Sequence, residues 1–295
     1  MRLLIVNPFA SAVTPGLLRA VERELSPVET VLTERRGHAA EIAADAGDAA
    51  AIVVFGGDGT FNETLNGLAA DVPIGFVPGG GTSVLPRALG LPRGPVAAAR
   101  AIAAAAPRRI SLGRVNGRRF AFSAGIGLDA ELVRRVDALG RRADGKRPGD
   151  LRFAWTALRV FAERRVRFDP VLEVEGRGRA AFALVGNTDV YSYAGPLALR
   201  VTPDARWELG LDVVAPRRLR AHELPRFLAY LLVTHGQTRA ADIVHMHDVD
   251  RVVIRCDLPQ PLQVDGEDLG DVTEAVFEAE RDAVNVLAPP ASHSV

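Results

Sequence analysis

Lysine is almost absent from this chain: Lys146 is the only one, and arginine carries nearly all of the positive charge. We therefore do not expect a phosphate-binding loop of the Walker type, because such a loop needs a lysine of its own. If the protein binds phosphates, then backbone amides, arginine and a metal ion must hold them.

Cysteine and long apolar runs are also scarce. Cys256 is the only cysteine, so no internal disulfide can form and a reducing compartment is expected. Leu3–Val6 is too short for the apolar part of a signal peptide. The alanine-rich pattern of Val96–Ala106 contains Arg100 and is too short to span a bilayer. These features predict a cytoplasmic protein that is not integral to a membrane.

The chain has no excess of charge of either sign. Its 36 basic and 36 acidic residues give a formal net charge of zero, which argues against a general attraction to nucleic acid. With 295 residues, 48% of them hydrophobic and 24% charged, it has the composition of a soluble globular protein with room for two domains.

The strongest local pattern is a buried strand that ends in a glycine turn. The apolar run Ala51–Phe55 leads into Gly56-Gly57-Asp58-Gly59-Thr60, and a helical pattern follows. The glycines let a ligand approach the bare backbone, and Thr60 can cap the helix, whose free N–H groups suit an anion. A carboxylate beside a phosphate needs a cation between them, so Asp58 is predicted to face magnesium. An ordinary strand–helix turn is the alternative.

Strands and helices alternate along residues 1–111. Leu3–Val6, Val28–Leu32 and Pro73–Val77 are further predicted strands, and a second glycine loop, Pro78–Ser83, follows the last of them. Helices are predicted over Leu17–Leu25, Ala39–Ala46 and Phe61–Leu68, with a short one to Leu89 and an alanine-rich one to Ala105. This alternation predicts a parallel sheet with right-handed crossovers. The two glycine loops are expected to converge on one crevice.

Short strands dominate residues 112–295. Asn116-Gly117 joins two strand patterns, Arg109–Val115 and Arg118–Ser123, and is a strong signal for a tight hairpin. Helices are predicted to begin in Ala124–Ala130 and to cover Leu151–Phe161 and His222–Thr234. Further strands are predicted at Val171–Val174, Ala180–Val185, Leu211–Val214, Val249–Arg255 and Leu262–Val264. The second region is therefore predicted to be mainly antiparallel β-sheet.

Several motifs occur together in the order and spacing of a known family, and they span nearly the whole chain. They are Asn7-Pro8, Gly37-His38-Ala39, Gly56–Asn62, Gly81-Thr82, Gly125–Ala130, Pro203-Asp204-Ala205 and Asp265-Gly266-Glu267. In these motifs the chain resembles the diacylglycerol kinase catalytic domain family, which includes bacterial soluble lipid kinases and sphingosine kinases.

The resemblance implies a fold and a reaction. The expected fold is a Rossmann-like α/β domain of the NAD kinase and diacylglycerol kinase type (residues 1–111), then a mainly antiparallel β-sandwich domain (residues 112–295) whose last residues can pack back on the first. The expected reaction is ATP- and Mg²⁺-dependent phosphorylation of the hydroxyl of a diacylglycerol-like or sphingoid-like lipid, with the nucleotide in the crevice between the domains.

The resemblance also implies roles for particular residues. Asp265 is then the proton acceptor, Glu267 supports it, and Asp58 lies at the phosphates. The residues expected to contact the nucleotide are Asn7, Pro8, Ser11, Thr33, Gly56, Gly57, Asp58, Gly59, Thr60, Asn62, Gly81 and Thr82.

Two segments depart from the family pattern. The second loop is usually Pro-x-Gly-Thr-x-Asn-Asp, whereas here three glycines separate Pro78 from Thr82 and Ser83–Pro86 stands where the polar pair is expected. The family's structural magnesium segment usually carries Asp-Asp-Gly before Leu-Asp. In this chain only Glu208 and Asp212 remain as candidate metal ligands.

Three other acidic and histidine residues were candidates for chemistry. Asp129 is either a charge at a helix start or a second acid near the phosphates. His245 and His247 share a face if the chain there is extended, but no third ligand is evident and we do not expect a metal at this pair.

A lipid substrate determines the expected partners. Without a spanning segment the protein must take the lipid from a membrane surface, so peripheral contact with the inner face of the membrane is expected, and a homodimer is compatible with the resemblance. The arginines from Arg134 to Arg167, interleaved with Phe153, Trp155 and Phe161, are either a solvated face or contacts for anionic lipid headgroups.

Two other functions stay open. NAD kinase and phosphofructokinase share a similar Gly-Gly-Asp-Gly-Thr turn, so the acceptor could be a soluble molecule, although Gly125–Ala130 and Asp265–Glu267 favour the lipid kinases. The third hypothesis is a catalytically silent protein that binds lipid or nucleotide, because the second loop and the metal segment are altered.

Overall fold

A computed structural model describes residues 1–69, 71–138, 156, 159–163 and 166–290. The chain divides into two compact units: Met1–Ile110 with Asp282–Val295 form the first, and Ser111–Arg281 form the second. The sequence predicts a division after residue 111 and allows the last residues to return to the first domain.

The first unit contains a parallel sheet in the order β4-β3-β1-β2. The strands are β1 (Arg2–Val6), β2 (Val28–Leu32), β3 (Ala51–Gly56) and β4 (Ile74–Pro78). The helices are α1 (Pro15–Leu25), α2 (His38–Ala44), α3 (Asp58–Gly67), α4 (Val84–Ala88) and α5 (Pro95–Ala104). The predicted parallel α/β architecture is confirmed.

Local sequence explains these elements well. Every residue of β3 and β4 is buried, which accounts for their continuous apolar sequence, since helices cover both faces of a parallel sheet. The Thr14 side chain caps α1 by accepting a hydrogen bond from the Leu17 amide, Pro15 occupies its first turn, and Val21 and Leu25 are buried.

The second unit is built mainly from antiparallel strands. Its main sheet has the order β14-β13-β10-β7-β15-β16. The strands are β5 (Pro107–Val115), β6 (Arg118–Phe120), β7 (Ser123–Ile126), β8 (Leu172–Val174), β9 (Gly178–Ala180), β10 (Ala183–Gly186), β11 (Val190–Ala194), β12 (Leu197–Arg200), β13 (Leu211–Pro216), β14 (Ile243–Val249), β15 (Arg251–Val264) and β16 (Glu267–Leu287). This confirms the predicted antiparallel region.

The second unit includes the helices α6 (Leu128–Ala138) and α7 (Leu224–Ala229), which a π-helical turn (Tyr230–Thr234) extends, and residues 159–163 are also helical. Short 3₁₀ turns lie at Ala221–Glu223 and Gly236–Thr238. The predicted hairpin at Asn116-Gly117 is confirmed, because β5 and β6 pair across it and both turn residues have positive φ.

Three sequence predictions need correction. Ala124–Ile126 lie in strand β7, and the helix begins only at Leu128. Strand β16, 21 residues long, and the β11–β12 hairpin have no counterpart among the predicted strands. Helix α3 begins at Asp58, three residues before the predicted Phe61.

One predicted region lies largely outside the described residues. It includes most of the amphipathic helix Leu151–Phe161, with Phe153, Trp155 and Leu158, and the arginines Arg141 and Arg142. In the part of the chain that the structure describes, no helix has both the length and the apolar character needed to cross a membrane.

Candidate functional site

Three loops meet at the carboxyl end of the parallel sheet in the first unit. The Asn7 amide after β1 donates to the Phe55 carbonyl at 3.0 Å, and the Gly79 amide after β4 donates to the Gly56 carbonyl at 2.6 Å. The Ala12 amide donates to the Gly79 carbonyl at 2.9 Å. The predicted convergence of the two glycine loops is therefore confirmed.

The two glycine loops approach so closely that side chains are excluded between them. A Cβ atom on Gly79 would lie 2.9 Å from the Gly56 carbonyl oxygen, and one on Gly80 would lie 3.0 Å from the Gly57 Cα. A backbone atom cannot yield as a flexible side chain does, so this contact requires glycine at position 79. The result is a surface in which peptide groups, not side chains, face each other.

Thr60 does not cap α3, contrary to the sequence prediction. The N-cap residue is Gly57, and Thr60 lies in the first turn, where its side chain makes no capping hydrogen bond. Its Oγ1 instead accepts a hydrogen bond from Nδ2 of Asn7 at 2.9 Å, and the Asn7 Oδ1 accepts one from the Phe9 amide at 3.0 Å. Thr60 thus connects the loop after β1 to the helix after β3.

Asp58 connects the first glycine loop to the second. Its Oδ2 accepts a hydrogen bond from the Val84 amide at 3.0 Å, and its Oδ1 accepts one from the Leu85 amide at 3.1 Å. These amides open helix α4, and the preceding residue, Ser83, has a left-handed φ of 49°. Asp58 therefore fixes the altered second loop, a role that sequence did not suggest; its contact with magnesium stays a prediction.

The other predicted nucleotide contacts in the first unit differ in exposure. Pro8, Ser11 and Gly81 are exposed, and Thr82 is half-buried. Thr33 and Asn62 are buried: the Thr33 amide donates to the Val6 carbonyl at 2.8 Å, and the Asn62 Oδ1 accepts from Nδ2 of Asn66 at 3.1 Å. Direct contact with a nucleotide stays a prediction for all of them.

Asp265 occupies the tight turn between β15 and β16 in the second unit. Asp265 and Gly266 both have positive φ, 48° and 79°, which is the conformation of a type I′ hairpin turn. The Asp265 side chain is only 3% exposed. Its carboxylate accepts hydrogen bonds from three successive amides, those of Ala121 (2.7 Å), Phe122 (2.9 Å) and Ser123 (3.2 Å). These donors fix its orientation and stabilise its negative charge.

Glu267 follows this turn and is also buried. Its Oε2 lies 3.8 Å from a guanidinium nitrogen of Arg118. Two carboxylates, those of Asp265 and Glu267, therefore lie on either side of Gly266 at the turn. Arg118 offsets part of their negative charge. Catalytic roles for Asp265 and Glu267 stay predictions.

Asp129 is part of a buried polar cluster that the sequence did not reveal. Its Oδ1 accepts a hydrogen bond from the Tyr191 hydroxyl, and its Oδ2 accepts one from Nε2 of Gln263 at 2.6 Å. Burial raises the pKa of Asp129, and these two hydrogen bonds oppose that shift. Burial and the neighbouring carboxylate raise the pKa of Tyr191 well above its ordinary value. Neither Tyr191 nor Gln263 lies in a motif, so only their contacts with Asp129, which is distant along the chain, identify them.

The candidate metal segment gives no structural support to a metal ion. Asp212 is fully buried, and its Oδ1 and Oδ2 lie 2.8 and 3.0 Å from Nδ1 of His247. The Asp248 amide also donates to Asp212 at 3.0 Å. Among the described residues no group of three histidine, cysteine or acidic side chains could hold a metal. Ligation by Glu208 and Asp212 stays a prediction.

The described arginines between 134 and 167 have acidic partners. Arg134 pairs with Asp268 and Asp271, and Arg135 pairs with Glu131 and Glu163. Salt bridges of this kind offset the positive charge with which the arginines would attract an anionic lipid. Docking of lipid through this stretch stays a prediction.

Comparison with known families agrees with the fold and the motifs. The family model of the diacylglycerol kinase catalytic domain matches residues 2–115, and that of the YegS C-terminal NAD kinase beta sandwich-like domain matches residues 122–288. The chain therefore belongs to the family of the YegS C-terminal NAD kinase beta sandwich-like domain, whose model covers more than half of it, and residues 2–115 match the diacylglycerol kinase catalytic domain, as the motifs predict.

Curated relatives match over shorter segments. The diacylglycerol kinase of Bacillus subtilis (strain 168) is 42% identical over 86 residues, which are 28% of this chain and 28% of that protein. A Staphylococcus carnosus (strain TM300) protein provisionally named a lipid kinase is 33% identical over 116 residues, 38% of this chain and 37% of that protein. The matched segments thus span about a third of these relatives.

A solved structure matches along almost the whole chain. A diacylglycerol kinase from Bacillus anthracis str. Sterne gives a TM-score of 0.70 at 20% identity, covering 98% of this chain and 97% of that one. An NAD kinase from Archaeoglobus fulgidus, solved in complex with ATP, gives a TM-score of 0.50 at 14% identity, covering 97% and 93%. At these identities the likeness concerns the fold alone.

Proposed function

We propose that this protein transfers the γ-phosphoryl group of ATP, with Mg²⁺, to the hydroxyl of a diacylglycerol-like or sphingoid-like lipid. The observation that carries the proposal is the joined pair of glycine loops after β3 and β4, held by the Gly79–Gly56 hydrogen bond and by Asp58. A surface of bare peptide groups beside a helix start suits phosphates, and this lysine-poor chain has few other means of binding them.

The first unit supplies the proposed nucleotide contacts. Helix α3 begins at Asp58, and the first turn of a helix favours negative charge. The Asp58 carboxylate would repel a phosphate, so Asp58 is the residue that would hold Mg²⁺, directly or through water, and the ion would offset this repulsion. When bound, the ion neutralises charge on the transferring phosphoryl group.

The second unit supplies the proposed proton acceptor. The acceptor hydroxyl oxygen forms a bond to the γ-phosphorus, the bond from that phosphorus to the bridging oxygen breaks, and ADP leaves. The hydroxyl proton goes to Asp265, whose orientation is fixed by three backbone amides. A carboxylate held in this way can orient the hydroxyl without a conformational search of its own.

A lipid acceptor places the reaction at a membrane surface. In this proposal the protein works on the cytoplasmic side and makes peripheral, reversible contact with the bilayer that holds its substrate. Such contact requires only a limited apolar or basic surface, because one or two weak signals are enough for transient binding.

The test is phosphorylation of a panel of acceptors with radiolabelled ATP and Mg²⁺. Diacylglycerol and sphingoid bases are offered in mixed vesicles, and NAD⁺ and sugar phosphates in solution, with Asp265→Asn as the inactive control. We expect label in a lipid and none in the soluble acceptors. Label in NAD⁺ or a sugar phosphate would replace the lipid with a soluble acceptor. ATP binding with no labelled product would indicate a silent binding protein.

A further inference from the structure

A single buried glutamine connects the Asp265 turn to helix α6. Gln263 is 1% exposed, and both the nitrogen and the oxygen of its side-chain amide form hydrogen bonds. Its Nε2 donates to Oδ2 of Asp129 at 2.6 Å, and its Oε1 accepts from the Gly266 amide at 2.9 Å. The residue that follows Asp265 in the turn is therefore tied to a carboxylate in the first turn of α6.

The far end of this connection is itself held in place. Tyr191 donates its hydroxyl proton to the other oxygen of Asp129, and the carboxylate is 7% exposed. The position opposite is Gly125, where a Cβ atom would lie far closer to Oδ2 than van der Waals contact allows. Asp129 thus has a fixed position, and Gln263, which binds both Asp129 and Gly266, fixes the turn relative to it.

The chemistry at position 263 requires an amide. The side chain must donate to a carboxylate and accept from a backbone N–H at the same time, and glutamine does both. Glutamate at this position would place a second negative charge against Asp129. Methionine has a similar length but can neither donate nor accept strongly, so it would leave the buried Asp129 carboxylate and the Gly266 amide without this partner.

We propose that Gln263 is a positioning residue, which holds the Asp265 turn in its working geometry through Gly266 and Asp129. The inference rests on the proposed function, since it assumes that Asp265 acts on the acceptor hydroxyl. Misplacement of a reacting group by about 1 Å can lower the rate by up to about 10²-fold. Loss of a positioning contact should therefore lower kcat more than it weakens nucleotide binding.

The kinetic test compares Gln263→Met in two backgrounds. In the otherwise wild-type protein we expect kcat for lipid phosphorylation to fall by about tenfold to 10²-fold, with less than about a twofold change in the KM for ATP. In the Asp265→Asn background the same substitution should cost less than about twofold, because the group that it positions is already lost. An equal loss in both backgrounds would overturn the inference.

Amide hydrogen exchange gives a readout that does not depend on activity. We expect Gln263→Met to speed exchange at Gly266 and to leave the Val276 amide, which donates to the distant Asn116 side chain, unchanged. Tyr191→Phe is the control for lost stability, because it removes the other hydrogen bond of Asp129 and keeps both bonds of Gln263. Unchanged exchange at Gly266 in Gln263→Met, or equal acceleration in both variants, would overturn the connection.

Two further outcomes are separated by this design. If the wild-type protein phosphorylates no lipid, the proposed function fails, and exchange at Gly266 alone decides whether Gln263 holds the turn. If Gln263→Met does not fold, Gly125→Ala displaces the same Asp129 oxygen. It should then speed exchange at Gly266 and lower kcat, and a normal result for both would overturn the inference.

Discussion

Two aspartates, one in each unit, bind backbone amides of a distant chain segment, and they do so in different surroundings. Asp58 holds the amides of Val84 and Leu85 beside loops made largely of glycine. Asp265 is itself buried and holds the amides of residues 121–123 beside the side chains of Gln263 and Glu267. The proposed site of the first unit therefore consists mainly of peptide groups, whereas that of the second unit consists of side chains.

This difference determines how each region responds to substitution. Substitutions other than proline leave the peptide donors in place, so the glycine loops are perturbed by an added Cβ atom or by loss of the side chain that joins them. Side-chain groups can be removed singly while the fold remains. We therefore expect changes in the first unit to alter stability and nucleotide affinity, and changes around Asp265 to alter rate.

The largest effect is expected for Asp265→Asn. Removing the charge of a proton acceptor should lower the rate of lipid phosphorylation by about 10²–10⁴-fold, with little change in the KM for ATP. The new amide group must also face one of the three backbone donors, at a cost of about 1–3 kcal/mol in unfolding free energy. Steady-state kinetics and thermal unfolding measure the two effects.

Two variants bracket the result for Asp265. Glu267→Gln should lower the rate less than Asp265→Asn does if Glu267 only supports Asp265. Asp250→Asn, at an exposed position of the same unit, should leave the rate unchanged. Near-normal turnover in Asp265→Asn would contradict the assignment, and loss of ATP binding equal to the loss of rate would move Asp265 into the nucleotide site.

Asp58→Ala should affect nucleotide binding more than rate. ATP with Mg²⁺ at 100 times its Kd stabilises a protein by about 2.7 kcal/mol, which raises its Tm. The Asp58→Ala variant should lose most of this increase in Tm, because the second glycine loop is no longer held. Differential scanning fluorimetry measures the shift, with Asp48→Ala, at an exposed position of the same unit, as the control. An unchanged shift would show that Asp58 lies outside the nucleotide site. Equal losses with and without Mg²⁺ would favour the loop-holding role over metal contact.

Gly79→Ala tests the contact between the glycine loops. Its Cβ would lie 2.9 Å from the Gly56 carbonyl oxygen. Overpacking of this kind typically lowers the unfolding free energy by about 1–3 kcal/mol. Gly81→Ala is the matched control, since a Cβ there meets nothing within 4 Å, and its unfolding free energy should change by less than about 0.5 kcal/mol. Equal denaturation midpoints for the two variants would contradict the close approach.

Sequence was most informative where a local pattern determines the structure. The apolar strands, the capped helix α1 and the Asn116-Gly117 hairpin follow from residues close together in the chain. Strand β16 was missed because its exposed positions carry many charges, and Gly125 and Gly127 obscured the point where β7 ends and α6 begins. The partners of Asp58 and Asp129 could not be predicted, because they lie 26 and 27 residues from Asp58 and 62 and 134 residues from Asp129 along the chain.

Membrane binding should give the smallest effect of a single substitution. We expect flotation with vesicles to increase with anionic lipid and to decrease with salt. A free surface arginine contributes about 1 kcal/mol to such binding, but Arg134 already pairs with Asp268 and Asp271. Arg134→Gln should therefore weaken binding by less than about fivefold. A larger loss would show that the arginine exchanges its carboxylate partners for lipid headgroups, and flotation insensitive to both lipid charge and salt would exclude the arginines as the docking surface.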